Sequence, residues 1–306
     1  MILTICLNPT LQKTLRFSSV VPGIVNRAIA HRLDVSGKGI NVTRVLTQLG
    51  KKTVHLTQLG GELRPLFLSL CEQDELSVEW VESNSPIRFC YTMLTGNDDG
   101  ITELVEESEP VNTGTEDRLL EKYEALLADV SLNLKCLIVS GTKAAGYSDA
   151  VIPNMVQKAK KKGIRVILDI RGNDLLASLK HEPDIIKPNL FEFASTFAPE
   201  LTKDNNLPDN TANEQIISIM SDIVKKYRCR IILTNGSKNI YIAERDEISS
   251  YDFEPVKPVN STGCGDAFTA GLASALEDGQ DFRFAIVEGF RCGALNAGLE
   301  KPGVIR

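Results

Sequence analysis

Asn260-Ser261-Thr262-Gly263-Cys264-Gly265-Asp266-Ala267-Phe268-Thr269-Ala270-Gly271 is the stretch on which the reading of this chain turns. Residues 267–275 have a helical composition, so Gly263–Asp266 falls on the first turn of a helix. Free backbone N–H groups at a helix start, together with the helix dipole, attract an anion, and glycines let a phosphate come close. A carboxylate there has another use. With an ordinary pKa of about 3.9 it is ionised at neutral pH and can accept a hydroxyl proton. The amides meanwhile balance charge on a transferring phosphoryl group. Taken alone, Gly-x-Gly-Asp is more often only a capped helix start, so the rest of the chain has to agree.

A second glycine-rich turn opens another helix: Val35-Ser36-Gly37-Lys38-Gly39-Ile40-Asn41-Val42-Thr43-Arg44. The G-x-x-x-x-G-K-[ST] spacing is absent, so it is not a Walker A loop. Gly37 and Gly39 permit close backbone approach, Lys38 can bind an anion, and Asn41 can bond hydroxyls. Around these turns, short apolar runs at 2–7, 53–59, 136–140, 166–169, 185–187 and 231–234 read as buried strands. Helical patterns lie near 40–49, 63–74, 115–130, 149–162 and 212–227. Such alternation predicts an α/β chain with a mainly parallel sheet covered on both faces. Ligands of such sheets bind beyond the carboxyl ends of the strands, here the loops after Leu7, Val35, Ser140, Lys187, Thr234 and Val259. Segments 15–35 and 86–105 lack a helical pattern and are expected to pair into a small antiparallel sheet, a lid on a single domain spanning 1–306. The polar stretch 199–213 reads as a surface loop.

Composition narrows the function classes. The chain has 306 residues, 42% hydrophobic and 24% charged, which excludes disordered and coiled-coil readings. A net charge of −6 argues against general binding to nucleic acid or a membrane surface. The lysine-rich run at 158–162 suits a helix C-terminus rather than a nucleic-acid patch. Seven cysteines without a C-x-x-C pair, and three histidines away from them, disfavour a disulfide framework, a zinc site or a histidine triad. The opening Met1–Pro9 carries no basic leader, and no apolar run reaches the length of a membrane span. A cytoplasmic protein is expected.

The combination of motifs resembles the PfkB (ribokinase-like) carbohydrate kinases, and within them the 1-phosphofructokinase and tagatose-6-phosphate kinase branch. Thr4–Pro9 is similar to that branch's opening strand, Gly37–Val42 to its first signature, and Gly263-Cys264-Gly265-Asp266 to the second, usually written GAGD. Ser140-Gly141, Val166–Asp169, Ile186–Glu192 and Leu233–Gly236 fall between them in the family's order. The resemblance covers nearly the whole chain. It implies a three-layer αβα domain with a small β-sheet lid, and ATP-dependent phosphorylation of a sugar phosphate such as fructose 1-phosphate or tagatose 6-phosphate, with Mg²⁺. Asp266 then matches the catalytic base, and the amides of Gly263, Cys264 and Gly265 the anion hole. Asn189 and Glu192 match an N-x-x-E motif that organises Mg²⁺, Asn189 through water, and the nucleotide phosphates. Thr234 and Gly236 match the loop beside the ATP phosphates, and Asn296 a position bordering adenine. Gln12, Gly37, Lys38 and Asn41 match sugar-contacting positions. Arg88 matches an arginine that reaches the acceptor's phosphate from the lid, a task suited to its fork of donors, and Arg27 is a second candidate. The lid's apolar face would pair with a second copy in a homodimer.

Several positions depart from the branch pattern. Gln12 stands where an acidic residue is usual, and an amide donates with one atom where a carboxylate only accepts. Ser36 replaces the first glycine of GGKG, Thr142–Ala145 replaces a Ser-Leu-Pro-Pro turn, and Asn239 replaces a glycine. The acidic run at 106–109 sits where a Gly-Pro turn is common. These changes cluster on the acceptor side and leave two other readings open. One is a kinase for an unphosphorylated sugar or a nucleoside, against which Lys38 and Arg88 argue as cations lacking an anion. The other is a catalytically silent sensor of sugar phosphate or nucleotide.

Overall fold

In the computed structural model, residues 1–95, 101–202, 211–245, 247–254 and 256–306 are described, leaving aside the side chains of 211–213. In chain order the elements are β1 (Ile2–Ile5), β2 (Thr10–Phe17), β3 (Ala30–Ser36), α1 (Lys38–Gln48), β4 (Thr53–Gly60), α2 (Arg64–Gln73) and β5 (Val78–Ser83). Then follow β6 (Arg88–Thr95), β7 (Ile101–Val105), α3 (Thr115–Ala128), β8 (Cys136–Ser140), α4 (Val151–Lys161), β9 (Arg165–Asp169), α5 (Gly172–Leu179) and β10 (Ile185–Ile186). The remainder comprises α6 (Leu190–Phe197), α7 (Thr211–Tyr227), β11 (Arg230–Thr234), β12 (Asn239–Glu244), β13 (Glu247–Asp252), α8 (Cys264–Glu277) and α9 (Phe282–Ala297).

Nine strands form the central sheet in the order β13-β12-β11-β10-β9-β8-β1-β4-β5. All neighbours are parallel except the β11–β12 and β12–β13 pairs. The interior strands read as unbroken apolar runs because both faces are covered. Strand β8 shows it: Leu137 and Val139 enter one core with residues of α3, α4, α5, α6 and α7, such as Tyr123, Met155, Leu175 and Phe193. Cys136 and Ile138 enter the opposite core with Val42 and Leu46 of α1, Leu272 of α8 and Ala285 of α9. Period-two alternation thus sorts a single strand between two helical layers. Helices α8 and α9 pack with glycines at the crossing, where a Cβ on Gly271 would lie 2.6 Å from the Glu288 carbonyl oxygen. A third apolar group, including Leu11, Val35, Ile40, Leu59 and Phe67, lies beneath the second sheet.

That second sheet differs from expectation in two ways. It starts earlier, since β2 begins at Thr10, and it is mixed. Its order is β3-β2-β6-β7, with β2–β3 and β6–β7 antiparallel but β2–β6 parallel, Thr10 opposite Arg88. Two hairpins, distant in sequence, are therefore stitched edge to edge. Residues 96–100 of the expected lid, and 203–210 of the expected loop, lie outside the described residues. Periodicity alone did not mark β5, or the antiparallel edge strands β12 and β13, whose outer face is partly solvated.

Candidate active site

A cleft of about 1730 Å³ runs between the carboxyl ends of the central strands and the small sheet. It is lined from one side by Asn8, Gln12, Lys38, Asn41 and Arg88, and from the other by Thr234–Ile240, Val256, Pro258, Phe290, Gly293, Ala294 and Ala297. Gly263, Cys264, Gly265 and Asp266 sit between the two sets, at the start of α8. Gly263 is the N-cap with φ of 86°, a left-handed conformation that favours glycine. A Cβ there would also lie 2.8 Å from the Gly303 nitrogen. Of the three amides expected to receive an anion, that of Cys264 donates to the Ser261 carbonyl at 3.2 Å. Those of Gly263 and Gly265, and also that of Asp266, donate to no protein group among the described residues. The amides free to receive an anion at the helix start are thus those of residues 263, 265 and 266. The Cys264 thiol is pushed up to about 12, chiefly by burial and further by Asp266, and stays protonated.

Asp266 is only 5% exposed, yet its carboxylate faces the cleft. Asn41, on α1, donates from Nδ2 to Asp266 Oδ2 at 2.8 Å. Burial raises the Asp266 pKa to about 7, and the charge of Asp169 adds to this. Lys38, the Asn41 hydrogen bond and Lys187 oppose the rise. A carboxyl held near neutrality can both take and return a proton at physiological pH.

Lys38 lines the cleft, and its ammonium is already paired there with carboxylates. Its Nζ lies 3.0 Å from Glu192 Oε1 and 3.5 Å from Asp169 Oδ1. Burial works against its charge, but Asp169, Glu192 and Asp266 together hold its pKa above the usual lysine range. It is therefore paired with carboxylates rather than waiting for an acceptor anion. Gly37 is the N-cap of α1 with φ of 112°, and a Cβ there would lie 3.2 Å from the Cys6 sulfur, so the turn favours glycine. Asp169 and Lys187, to which the sequence reading gave no role, form a buried pair at 3.2 Å. Both stand at strand ends, Asp169 closing β9 and Lys187 following β10. Lys187 Nζ comes within 3.7 Å of where a Cβ on Gly265 would be, so its charge sits at the start of α8. The available sign was an acid and a lysine, each at the carboxyl end of a buried strand.

Asn189 and Glu192 form a capping box on α6. Glu192 N donates to Asn189 Oδ1 at 2.8 Å, and Asn189 N to Glu192 Oε2 at 3.0 Å. Asn189 also bridges to Thr234, which brings the β11 loop with Gly236 (φ 59°) to the same end of the cleft. Asn296 is fully buried and is not on the cleft wall, which there consists of Gly293, Ala294 and Ala297. It donates to the Lys301 carbonyl at 3.2 Å, and its Oδ1 lies 3.0 Å from the Cβ position of Gly263, so it packs behind the start of α8. On the acceptor side, Gln12 donates from Nε2 to Thr92 Oγ1 at 2.6 Å, tying β2 to β6. Arg88 donates from Nη1 to the Glu106 carbonyl at 2.7 Å, and its buried Nε has no partner among the described residues. Arg27 is not among the residues lining the cleft.

Parallel strands ending in a cleft, a helix start with unsatisfied amides, a neutral-range carboxyl beside them and a small covering sheet together define the candidate site of an α/β protein. The model of the pfkB family carbohydrate kinases matches residues 6–304, and the chain belongs to that family of sugar kinases. The fold is similar to that of phosphofructokinase-2 from Escherichia coli in complex with fructose-6-phosphate, at a TM-score of 0.81 and 20% identity, covering 97% of this chain and 93% of that one. The tetrameric inhibited form of that enzyme matches with the same TM-score, identity and coverage. A protein from Thermotoga maritima described as a possible 1-phosphofructokinase matches at 0.82 and 19%, covering 97% and 91%. Sugar kinases of this family use ATP, typically with Mg²⁺. Among the described residues no helix is long and apolar enough to cross a membrane.

Proposed function

We propose that this chain transfers the γ-phosphoryl group of ATP to a hydroxyl of a sugar phosphate, of the fructose 1-phosphate or tagatose 6-phosphate class. The observation that carries the reading is the convergence of Asp266 and the unpartnered amides of Gly263, Gly265 and Asp266 on one cleft. The acceptor hydroxyl lies against Asp266, which takes its proton as the oxygen attacks. Amides at the α8 start and the Lys187 ammonium receive the negative charge of the phosphoryl group and help align it. Asn41 fixes the carboxyl through Oδ2, leaving the other oxygen for the proton.

The donor set fits nucleotide phosphates: free amides, a lysine beside them, and the Thr234–Gly236 loop adjoining. For Mg²⁺ the fit is through water. Both Glu192 oxygens already accept a hydrogen bond, one from Lys38 and one from the Asn189 amide. Each keeps a lone pair for a metal-bound water, and no group of three or more His, Cys, Asp or Glu suited to a metal occurs among the described residues. When bound, the metal supplies charge neutralisation at the nucleotide phosphates.

An anionic acceptor is supported by Arg88, which lines the cleft on the side of Gln12 and Asn41 and carries a guanidinium group. Lys38 no longer counts for it, because its carboxylate partners already balance it. That pairing gives the kinase of a neutral sugar or nucleoside its one specific support. A coupled ADP-release assay over phosphorylated and neutral acceptors decides: turnover confined to phosphosugars, with Arg88→Ala raising their KM selectively, is expected. Preference for neutral acceptors would reverse the assignment, and binding without any ADP release would indicate a sensor. The exposed apolar residues Val21, Ile24, Val25 and Ile29, and Leu104 and Val105 on β7, suit pairing of two small sheets in a homodimer. A monomer by light scattering at all concentrations would refute that part alone.

A further inference from the structure

Asn41 is the protein's only side-chain hydrogen-bond partner of Asp266 among the described residues, so whatever orients its amide orients the proposed base. An amide can be flipped by half a turn, and a flipped Asn41 would present its oxygen to the carboxylate. Two donors prevent this. Ser36 Oγ donates to Asn41 Oδ1 at 3.2 Å and Arg44 Nη1 donates to the same oxygen at 3.0 Å. Both claim the oxygen end, which leaves Nδ2 for Asp266. Asn41 and Arg44 are three residues apart on α1, so they share a face of the helix.

Arg44 is itself held from four sides while only 3% exposed. Nε donates to Asp74 Oδ2 at 2.8 Å, Nη1 also to the Pro302 carbonyl at 3.0 Å, and Nη2 to the Val35 carbonyl. Asp74 is further paired with Lys301, the residue before Pro302. A guanidinium whose three nitrogens are each bonded to the protein is held in one orientation, and that rigidity is passed to the amide it touches. The groups interacting electrostatically with Asp266 are Lys38 of α1, Asp169 at the end of β9, Lys187 after β10 and Cys6 after β1, with Cys264 on its own helix. Arg44 bonds to none of these and meets Asp266 only by way of Asn41.

We infer that Arg44 is a positioning residue for phosphoryl transfer, locking the Asn41 amide in the one orientation that donates to Asp266, with Asp74 and the Pro302 carbonyl as its anchors. The inference rests on the reading of Asp266 as the base. It is tested on the full chain by kcat, KM and the pH dependence of kcat/KM for Arg44→Lys, Asn41→Leu and the double variant, with Asp266→Asn as control and melting temperatures throughout. Arg44→Lys keeps the charge but not the fork. We expect kcat to fall roughly 10- to 100-fold, the scale of a small misplacement of a reacting group. Nucleotide KM should stay within about twofold. The acid limb of the profile should move to higher pH, because the donor that favours ionised Asp266 is lost. Adding Arg44→Lys to Asn41→Leu should then cost little more, since both act through one contact. A lower melting temperature with an unmoved limb and additive losses would overturn the inference. Should Arg44→Lys fail to fold, Asp74→Asn carries the test, and an unmoved limb there overturns it too. Near-normal turnover of Asp266→Asn would sink the base assignment itself; an inactive Asp266→Asn beside an indifferent Arg44→Lys would sink only the positioning role.

Discussion

The pH dependence of kcat/KM discriminates most sharply between this site and an ordinary surface aspartate. Burial sets the Asp266 carboxyl at about 7, so near that pH about half the molecules hold an ionised base. At pH 6 the ionised share is roughly a tenth, and kcat/KM should fall roughly fivefold from pH 7 to pH 6 and about tenfold per unit below that. An aspartate at the usual value of about 3.9 would be ionised throughout and give a flat profile. The acceptor phosphate also titrates, with a second pKa of about 6, but its dianion share changes only from roughly nine-tenths to one-half over the same interval. That alone yields a fall of about 1.8-fold. Histidine does not confuse the result, since none lines the cleft and buried His55 is driven down to about 3 by burial. Initial rates by coupled ADP release, at limiting acceptor and constant ionic strength between pH 5.5 and 8.5, suffice. A loss below about twofold between pH 7 and 6 would refute the claim that a buried Asp266 works as the base.

Three further outcomes follow from the structure. Asp266→Asn should stabilise the fold while abolishing turnover: the carboxyl moves from 3.8 to about 7 on folding, which at about 1.36 kcal/mol per pH unit is a cost of up to about 4 kcal/mol. The fold prefers the neutral acid, so the cost is absent below about 3.8, grows as pH rises and is complete above about 7. The variant should therefore melt several degrees higher than the parent at pH 8 and match it near pH 4, and equal melting at pH 8 would count against the burial argument. Gly303→Ala places a Cβ 2.7 Å from the Asn41 Cα at φ of 68°, so it should cost roughly 1–3 kcal/mol in chemical denaturation and lower kcat by displacing Asn41. Gly279→Ala, at φ of 78° with open space around it, should cost only about 1 kcal/mol and leave kcat unchanged.

The parts of this molecule legible in the sequence are those written in neighbouring residues. The glycine-rich start of α8 with Asp266, the turn at 36–41 and the alternation that makes a parallel sheet are each local patterns with a local physical cause. What escaped depends on partners far along the chain. Lys38 looked like a free cation because Glu192, its partner, is 154 positions away. Asp169 and Lys187 each look like a polar residue ending a strand, and only the β9–β10 pairing makes them one buried ion pair. Asn296 sits near the nucleotide end in sequence order, yet the turn of α9 points it behind Gly263 rather than into the cleft. The small sheet was foreseen, but its parallel seam was not, since a hairpin pattern announces antiparallel pairing and says nothing of how two hairpins meet.

That seam fixes an order of assembly. Thr10 and Arg88 lie 78 positions apart, and the chain between them builds α1, β4, α2 and β5 of the main body. Closing so long a loop costs entropy that only a formed core can offset, so the β2–β6 join belongs late in folding. Since β2 carries Gln12 and β6 begins at Arg88, the side of the cleft to which the proposed function assigns the acceptor forms after the side it assigns to the nucleotide, and on that proposal a partly folded chain binds nucleotide before sugar.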